Sequence, residues 1–378
     1  MPGPMRRVRF TLPAAMTGII VALVALGLAA GVIHLREVHG QDKRYISRLT
    51  NEMRVVCLGR FLMNVPKDAT VELFGMRIHG FDVDVINETR DSFDQSLAAR
   101  ENEIKAQADK FGGDRNLESV EEINGPRGLV GKLFVHSRKI TEGTRARGLE
   151  LERYRNEGIA TEAWMHVSGT SFVLSADYYD PDQIDNLPQI ASKLIPNQNN
   201  ELLDQSGFCI DQAYFSDPLS PEQGEQLSVA LGLPGQPDVE ITLNMIAGIK
   251  RDPDGLFKRS HDAKAGLSLS DKLRLSTLRA ARREVGGVPG EEVIWRAKEK
   301  NGATVYSFWW EANGSEDNVF QPQISFRMST GNGPNGPVPS SLSKTTALVL
   351  WDAMCASLRL RPTAPKPTAT QTRGIHDK

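Results

Sequence analysis

Two amphipathic stretches that echo each other limit most what this chain can fold into. In residues 342–362, LSKTTALVLWDAMCASLRLRP, the residues Ala347, Trp351, Met354 and Leu358 recur at spacings of four, three and four. That is one apolar stripe on a helix. Ser343 stands where an N-cap satisfies the first free amides, and Pro362 forbids further helix. Residues 181–196 read similarly: Ile184, Leu187, Ile190, Ala191 and Leu194 form a stripe, with Pro188 marking a kink or the first turn. Ser192-Lys193-Leu194-Ile195-Pro196 then echoes Ser357-Leu358-Arg359-Leu360-Arg361-Pro362. Each stretch follows a run of amphipathic strands. The chain therefore reads as α+β, with two similar domains, each a largely antiparallel sheet packed with helices.

With 378 residues, 40% of them hydrophobic, there is enough apolar material for two sizeable cores. A net charge of -2 gives no electrostatic case for a nucleic-acid partner, which needs a basic face. Three cysteines are too few for a disulfide-rich scaffold. The seven histidines show no metal-ligand spacing, and no cofactor motif stands in a convincing context.

Arg6, Arg7 and Arg9 precede a run, residues 11–35, without Asp, Glu, Lys or Arg. Roughly 20 apolar residues cross a hydrocarbon core, so the run predicts a single N-terminal transmembrane helix. Residues 1–10 then stay in the cytoplasm and the rest lies outside. Small residues at Ala29-Ala30-Gly31 leave a cleaved signal peptide as the alternative. Residues 36–51 form a polar linker. The first domain covers 52–197, a polar connection (Asn197-Gln198-Asn199-Asn200-Glu201) follows, and the second domain covers 202–363. Residues 364–378, rich in Thr, Pro and Lys, form a disordered tail. Within the first domain, Phe93, Leu97, Ile104, Ala108 and Phe111 predict a helix over 91–111. Alternating residues around Leu151, Met165 and Leu174 predict strands, as they do around Leu243, Ile294, Phe308 and Ile324 in the second.

Few residues suggest chemistry. Gly331-Asn332-Gly333-Pro334-Asn335-Gly336 spells G-x-G-x-x-G, but no helix opens directly after it, and it reads as a plain loop. Ser341-Leu342-Ser343-Lys344 spells the S-x-x-K of penicillin-binding enzymes without its partner motifs, and serines there serve equally to cap a helix. His136 and His166 can approach across strands near Glu162, although histidines on a half-buried sheet face are usually structural. In the run Tyr306, Phe308, Trp309, Trp310, the odd residue faces away from the others and packs under the Trp351 helix or anchors a partner. Cys57 and Cys209 each open a domain, and both Cys57–Cys209 and Cys209–Cys355 pairings are open.

Several segments, taken in order, resemble a known family: Val56-Cys57-Leu58-Gly59-Arg60-Phe61-Leu62 with Pro66, Gly207-Phe208-Cys209, Pro237-Asp238-Val239, Gly287-Val288-Pro289-Gly290-Glu291-Glu292, and Leu350-Trp351-Asp352-Ala353 with residues 357–362. Together they are similar to the two-domain immunity proteins of type VI secretion lipase effectors, from about Cys57 to Pro362. The resemblance implies a periplasmic protein that binds and blocks a phospholipase effector, without enzymatic activity or cofactor, and a disulfide between Cys57 and Cys209. Combined with the apolar run, it implies a single-pass inner-membrane protein whose body lies in the periplasm. It does not identify the partner-binding residues. The competing expectations are a periplasmic hydrolase using Ser341 and Lys344, and an envelope scaffold.

Overall fold

The computed structural model describes residues 45–109, 116–148, 150–202, 205–217, 224–248, 254–316 and 318–361. Residues 45–51 are helical and belong to a unit separate from residues 53–378. The larger unit begins with β1 (Met53–Leu58), β2 (Phe61–Pro66), β3 (Thr70–Ile78), β4 (Phe81–Asn87) and α1 (Arg90–Ala106). It continues through β5 (Leu117–Asn124), β6 (Val130–Arg147), β7 (Glu150–Val167), β8 (Thr170–Tyr179), α2 (Asn186–Ala191) and β9 (Leu194–Pro196). The second half contains β10 (Gly207–Ile210), β11 (Ala213–Ser216), β12 (Glu225–Gly232), β13 (Glu240–Ile246), α3 (Leu256–Ala265) and α4 (Leu269–Arg274). It ends with β14 (Leu275–Val285), β15 (Val288–Lys298), β16 (Thr304–Ala312), β17 (Gln323–Thr330), α5 (Lys344–Ser357) and β18 (Arg359–Leu360).

Twelve strands form one sheet in the order β14-β15-β16-β17-β13-β12-β3-β4-β8-β7-β6-β5. Counted outward from the central β3–β12 pair, the two wings have the same topology. β3, β4, β8, β7, β6 and β5 correspond to β12, β13, β17, β16, β15 and β14. Two small sheets complete the pattern, β1-β2-β18 and β10-β11-β9. The duplication suggested by the echoing stretches is thus a duplication of strand order, and one sheet runs through both repeats.

Alternation explains the layers. Leu227, Val229 and Leu231 of β12 and Ile241, Leu243 and Met245 of β13 are buried, while the intervening residues are half-buried. On this buried face α5 lays Trp351 flat on Phe326, with ring centroids 4.7 Å apart and planes 9° apart, and 5.5 Å from Phe308. On the other face α1 buries Phe93, Leu97 and Ile104 against Leu117 and Phe134. The hydroxyl of Thr89 caps α1 by accepting from the Ser92 N–H, and that of Ser343 caps α5 by accepting from the Thr346 N–H, each at 3.2 Å.

The structure corrects the α+β expectation, because strands dominate the described residues. Helix 91–111 ends at Ala106, and the described helix within 181–196 is one short α segment after a 3-10 turn. Leu194–Pro196 is a strand, as is Arg359–Leu360, so the echoing ends are strands rather than helix termini. β14, LSTLRAARREV, is rich in Arg and Ala and carries no apolar alternation, which hid it from the sequence. The single N-terminal transmembrane helix is also corrected. Among the described residues no helix is long and apolar enough to cross a membrane, and residues 11–35 lie outside them. The expectation of a single-pass inner-membrane protein, held there through that helix, falls with it.

Candidate interaction surface

The two faces of the central strands differ sharply. From one wing, directly paired residues run Glu162, Ser175, Asp82, Arg77, Gln226. From the other they run Glu311, Ser325, Asn244, Ser228, Phe74. Gln226 and Ser228, two apart on β12, share a face, so both rows lie on the same side of the sheet. At the outer ends helices cover that side: α1 packs on β6 and β7, and α3 on β15. Between them the face is open. Asp82, Asp84 and Ile86 of β4 and Glu72, Phe74 and Arg77 of β3 are exposed, and Ser228, Thr242 and Asn244 are half-buried. Phe74 and Ile86, at 45% and 41% exposure, are the large apolar side chains on this floor. Arg77 and Asp82 pair across strands through two hydrogen bonds of 2.7 and 2.9 Å.

Each helix at the rim is tied to the sheet by an arginine on a buried carboxylate. Arg100 of α1 donates from Nε to Glu162 Oε2 at 3.0 Å and makes a second contact from Nη2 to Oε1. Arg259 of α3 donates to Glu311 Oε1 at 2.5 Å. Glu162 and Glu311 occupy matching places on β7 and β16, since each pairs with a serine, Ser175 or Ser325. Burial works against the Glu162 charge. The donors His136 (3.1 Å), Arg100 and Trp164 Nε1 (2.8 Å) outweigh it and hold the carboxyl at about 2. A third buried carboxylate, Glu292, lies on the opposite face. It accepts from Trp351 Nε1 at 2.7 Å, Arg279 at 3.0 Å and Arg283 at 2.5 Å, and both arginines also hold Asp352 of α5. Arg100, Arg259 and Glu311 do not stand out in the sequence. An arginine on a helix and a glutamate in a strand give no local signal of pairing.

The sequence candidates fall in different places. His136 sits between Glu162 and the Ser137 hydroxyl, at 3.1 and 2.9 Å. His166 stands apart, bound to Ser171 and stacked on Phe93. Trp309 is not under α5. It lies on the other face, with the Arg327 guanidinium 3.9 Å and that of Arg259 5.7 Å from its ring. The glycine loop and Ser341 are both moored to buried Asp238, whose Oδ2 accepts from the backbone N–H of Gly331 at 2.9 Å and of Ser341 at 3.0 Å. Lys344 opens α5 and is exposed. Cys57 and Cys209 sulfurs are 2.09 Å apart, a disulfide, and Cys355 is buried in α5. Burial pushes the Cys355 thiol far above its ordinary range. Among the described residues no three His, Cys, Asp or Glu side chains gather as a metal site.

A duplicated β fold with an open, polar, mixed-charge face between two helical rims has the geometry of a docking surface rather than of an enclosed catalytic cleft. Comparison with known proteins identifies the family. The model of the Tle cognate immunity protein 4 N-terminal domain matches residues 54–204, and that of its C-terminal domain matches residues 201–363. The chain belongs to this family of immunity proteins, as its resemblance to immunity proteins of type VI secretion lipase effectors implied. Among solved structures, the apo immunity protein TplEi of the type VI secretion system from Pseudomonas aeruginosa is 23% identical, with a TM-score of 0.66 over 82% of this chain and 98% of that one. TplEi complexed with an "L" peptide is 21% identical, with a TM-score of 0.65 over 83% of this chain and 100% of that one. A chain in the crystal structure of a Tle4–Tli4 complex is 23% identical, with a TM-score of 0.66 over 83% and 99%. No curated protein matches the chain.

Proposed function

We propose that this protein binds a type VI secretion lipase effector on the open face of its sheet and inhibits it by steric occlusion, doing no chemistry of its own. The observation that carries the reading is the one-sided exposure of β4, β3 and β12. One face buries Phe81 and Val83 of β4, Met76 and Ile78 of β3 and Leu227, Val229 and Leu231 of β12, whereas the other ends in Asp84, Glu72, Phe74 and Ser228. Family membership supplies the class of partner. An inhibitor of a toxic enzyme needs an affinity of about 12 kcal/mol, the nanomolar range. An interface of about 1,600 Å² in total is the standard size for such complexes, and a floor several strands wide between two helical rims offers room for it. Phe74 and Ile86 are the apolar anchors such an interface needs near its centre.

The test uses Phe74→Arg and Asp84→Arg in the full chain. Both side chains are exposed, so melting temperatures should stay near the parent value. Binding to the cognate lipase, followed by calorimetry or co-purification, should weaken at least tenfold, and inhibition of lipase activity should weaken in parallel. Full inhibition by both variants would move the binding surface elsewhere.

A further inference from the structure

We infer that each repeat is built to fit the other through a reciprocal exchange of C-terminal strands, so that the open face is one rigid platform rather than two lobes that hinge against each other. This inference stands on the seam alone, whichever protein docks on the face.

The last strand of the first repeat, β9, pairs with β11 of the second through Leu194–Phe215, Ile195–Tyr214 and Pro196–Ala213. The last strand of the second repeat, β18, pairs with β2 of the first through Arg359–Leu62 and Leu360–Phe61. The residues that follow each strand repeat the symmetry. The Asn197 N–H donates to Gln212 O at 2.7 Å, and the Arg361 N–H donates to Arg60 O at 3.0 Å. Gln212 and Arg60 sit in the matching turns of the β10–β11 and β1–β2 hairpins. Cys57 pairs with Leu62 and Cys209 with Tyr214 in those hairpins, so the disulfide joins equivalent residues.

Further contacts close the seam. β3 and β12 pair along their length, from Thr70–Gly232 to Ile78–Glu225. Gly59 and Cys209 exchange two backbone hydrogen bonds, of 3.1 and 2.9 Å. Gly59 has φ of 56°, and a Cβ there would stand 2.8 Å from the Phe208 ring, so only glycine permits the approach. Arg60, almost fully buried, holds Glu225 of the second repeat at 2.8 and 2.6 Å and Asp217 through two 3.1 Å contacts. The Asn64 N–H donates to the Ser357 hydroxyl at 2.9 Å, and Arg359 reaches Asn64 Oδ1 at 3.1 Å. Taking the second repeat away would leave β2 without β18, β9 without β11 and β3 without β12, three strand edges bare at once. The chain has the form of a strand-exchanged dimer written as one polypeptide, and the partner each repeat fits is the other repeat.

The experiment inserts a protease site after Leu203 in the full chain, cuts the folded protein, reduces the disulfide and follows the product by size-exclusion chromatography under reducing conditions. The expected result is one species that elutes like the uncut chain and contains both fragments in equal amounts. In the same background, truncation after Leu358 removes β18 and should weaken the association, so that the fragments separate at a lower urea concentration than those of the untruncated cut protein. As a measurement that needs no truncation, hydrogen exchange in the intact chain should slow the amides of Asn197 and Arg361 at least as much as those inside β12. Separation of the cut, reduced parent into two smaller species would overturn the inference, showing that the staple and the linker alone join the repeats. Separation of the truncated and untruncated cut proteins at the same urea concentration, or fast exchange at Asn197 and Arg361, would overturn the role given to the exchanged strands.

Discussion

Replacing Arg100 by methionine keeps the aliphatic stem on α1 and removes the guanidinium from Glu162. The carboxylate then stays 8% exposed with only His136 and Trp164 as partners. Removing one member of a buried pair costs about 3–5 kcal/mol. Arg100 itself is 25% exposed, so water replaces part of what it supplied and the expected loss is about 2–3 kcal/mol. The ionisation of Glu162 sets the scale for the whole cluster, net of the cost of burial. Its carboxyl moves from 4.5 to about 2 in the fold; at about 1.4 kcal/mol per unit that is roughly 3 kcal/mol, shared among its three donors. Because the folded value is the lower one, this stabilisation is complete above pH 4.5 and disappears as the pH falls toward 2. Urea unfolding of Arg100→Met should therefore show its full deficit at pH 7 and a smaller one near pH 3. Glu162→Gln should flatten the acid dependence of the parent. Arg259→Met removes the matching guanidinium from Glu311 and should cost a comparable amount, adding to the first because the two clusters share no residue. An Arg100→Met protein as stable as the parent at pH 7, or a deficit unchanged at pH 3, would refute the reasoning.

Trp351→Ala removes the stack on Phe326 and strips Glu292 of its indole donor, so unfolding stability should drop by about 3–5 kcal/mol; denaturant titration measures it. Ser341→Ala combined with Lys344→Ala should leave lipase inhibition unchanged and cost at most about 1 kcal/mol for a lost hydroxyl hydrogen bond; lost inhibition with intact folding would point to a hydrolase. Replacing residues 141–156, the tip of the β6–β7 hairpin, by a two-residue turn should leave the melting temperature nearly unchanged, because no described residue between Thr141 and Asn156 is buried; calorimetry decides.

What the sequence revealed follows from the range of the forces involved. Local period was enough for α1 and α5: Phe93, Leu97 and Ile104 mark one helix face, Ala347, Trp351 and Met354 the other, and Ser343 caps where the N-cap pattern puts it. Alternation was enough for β13, β16 and β17. Where burial is partial or the strand is very short, local period fails. β14 presents Arg279, Arg282 and Arg283 along an edge and resembles a charged helix, while β9 and β18 are too short for any period to register. The echo between residues 192–196 and 357–362 was visible, but its cause was not, since a strand's partner in the other repeat leaves no trace in neighbouring residues. The same limit applied to the interaction face. Phe74 and Asp84 look like ordinary strand residues until register and exposure together show that no described helix covers them.

The seam also bears on how tightly a partner can be held. Two lobes on a flexible connection would gain affinity by tethering, with the second contact made at high effective concentration, but each would first lose its freedom relative to the other. In this chain that ordering is done during folding, by β3–β12, the exchanged strands and the Arg60 cluster with Glu225 and Asp217. A surface already fixed in its bound arrangement loses little further entropy on association, so more of the contact energy appears as affinity. The duplication then has a functional consequence separate from symmetry. A single repeat ends its sheet at β3 or β12, and only the pair presents those central strands as a continuous floor wide enough for a protein to dock.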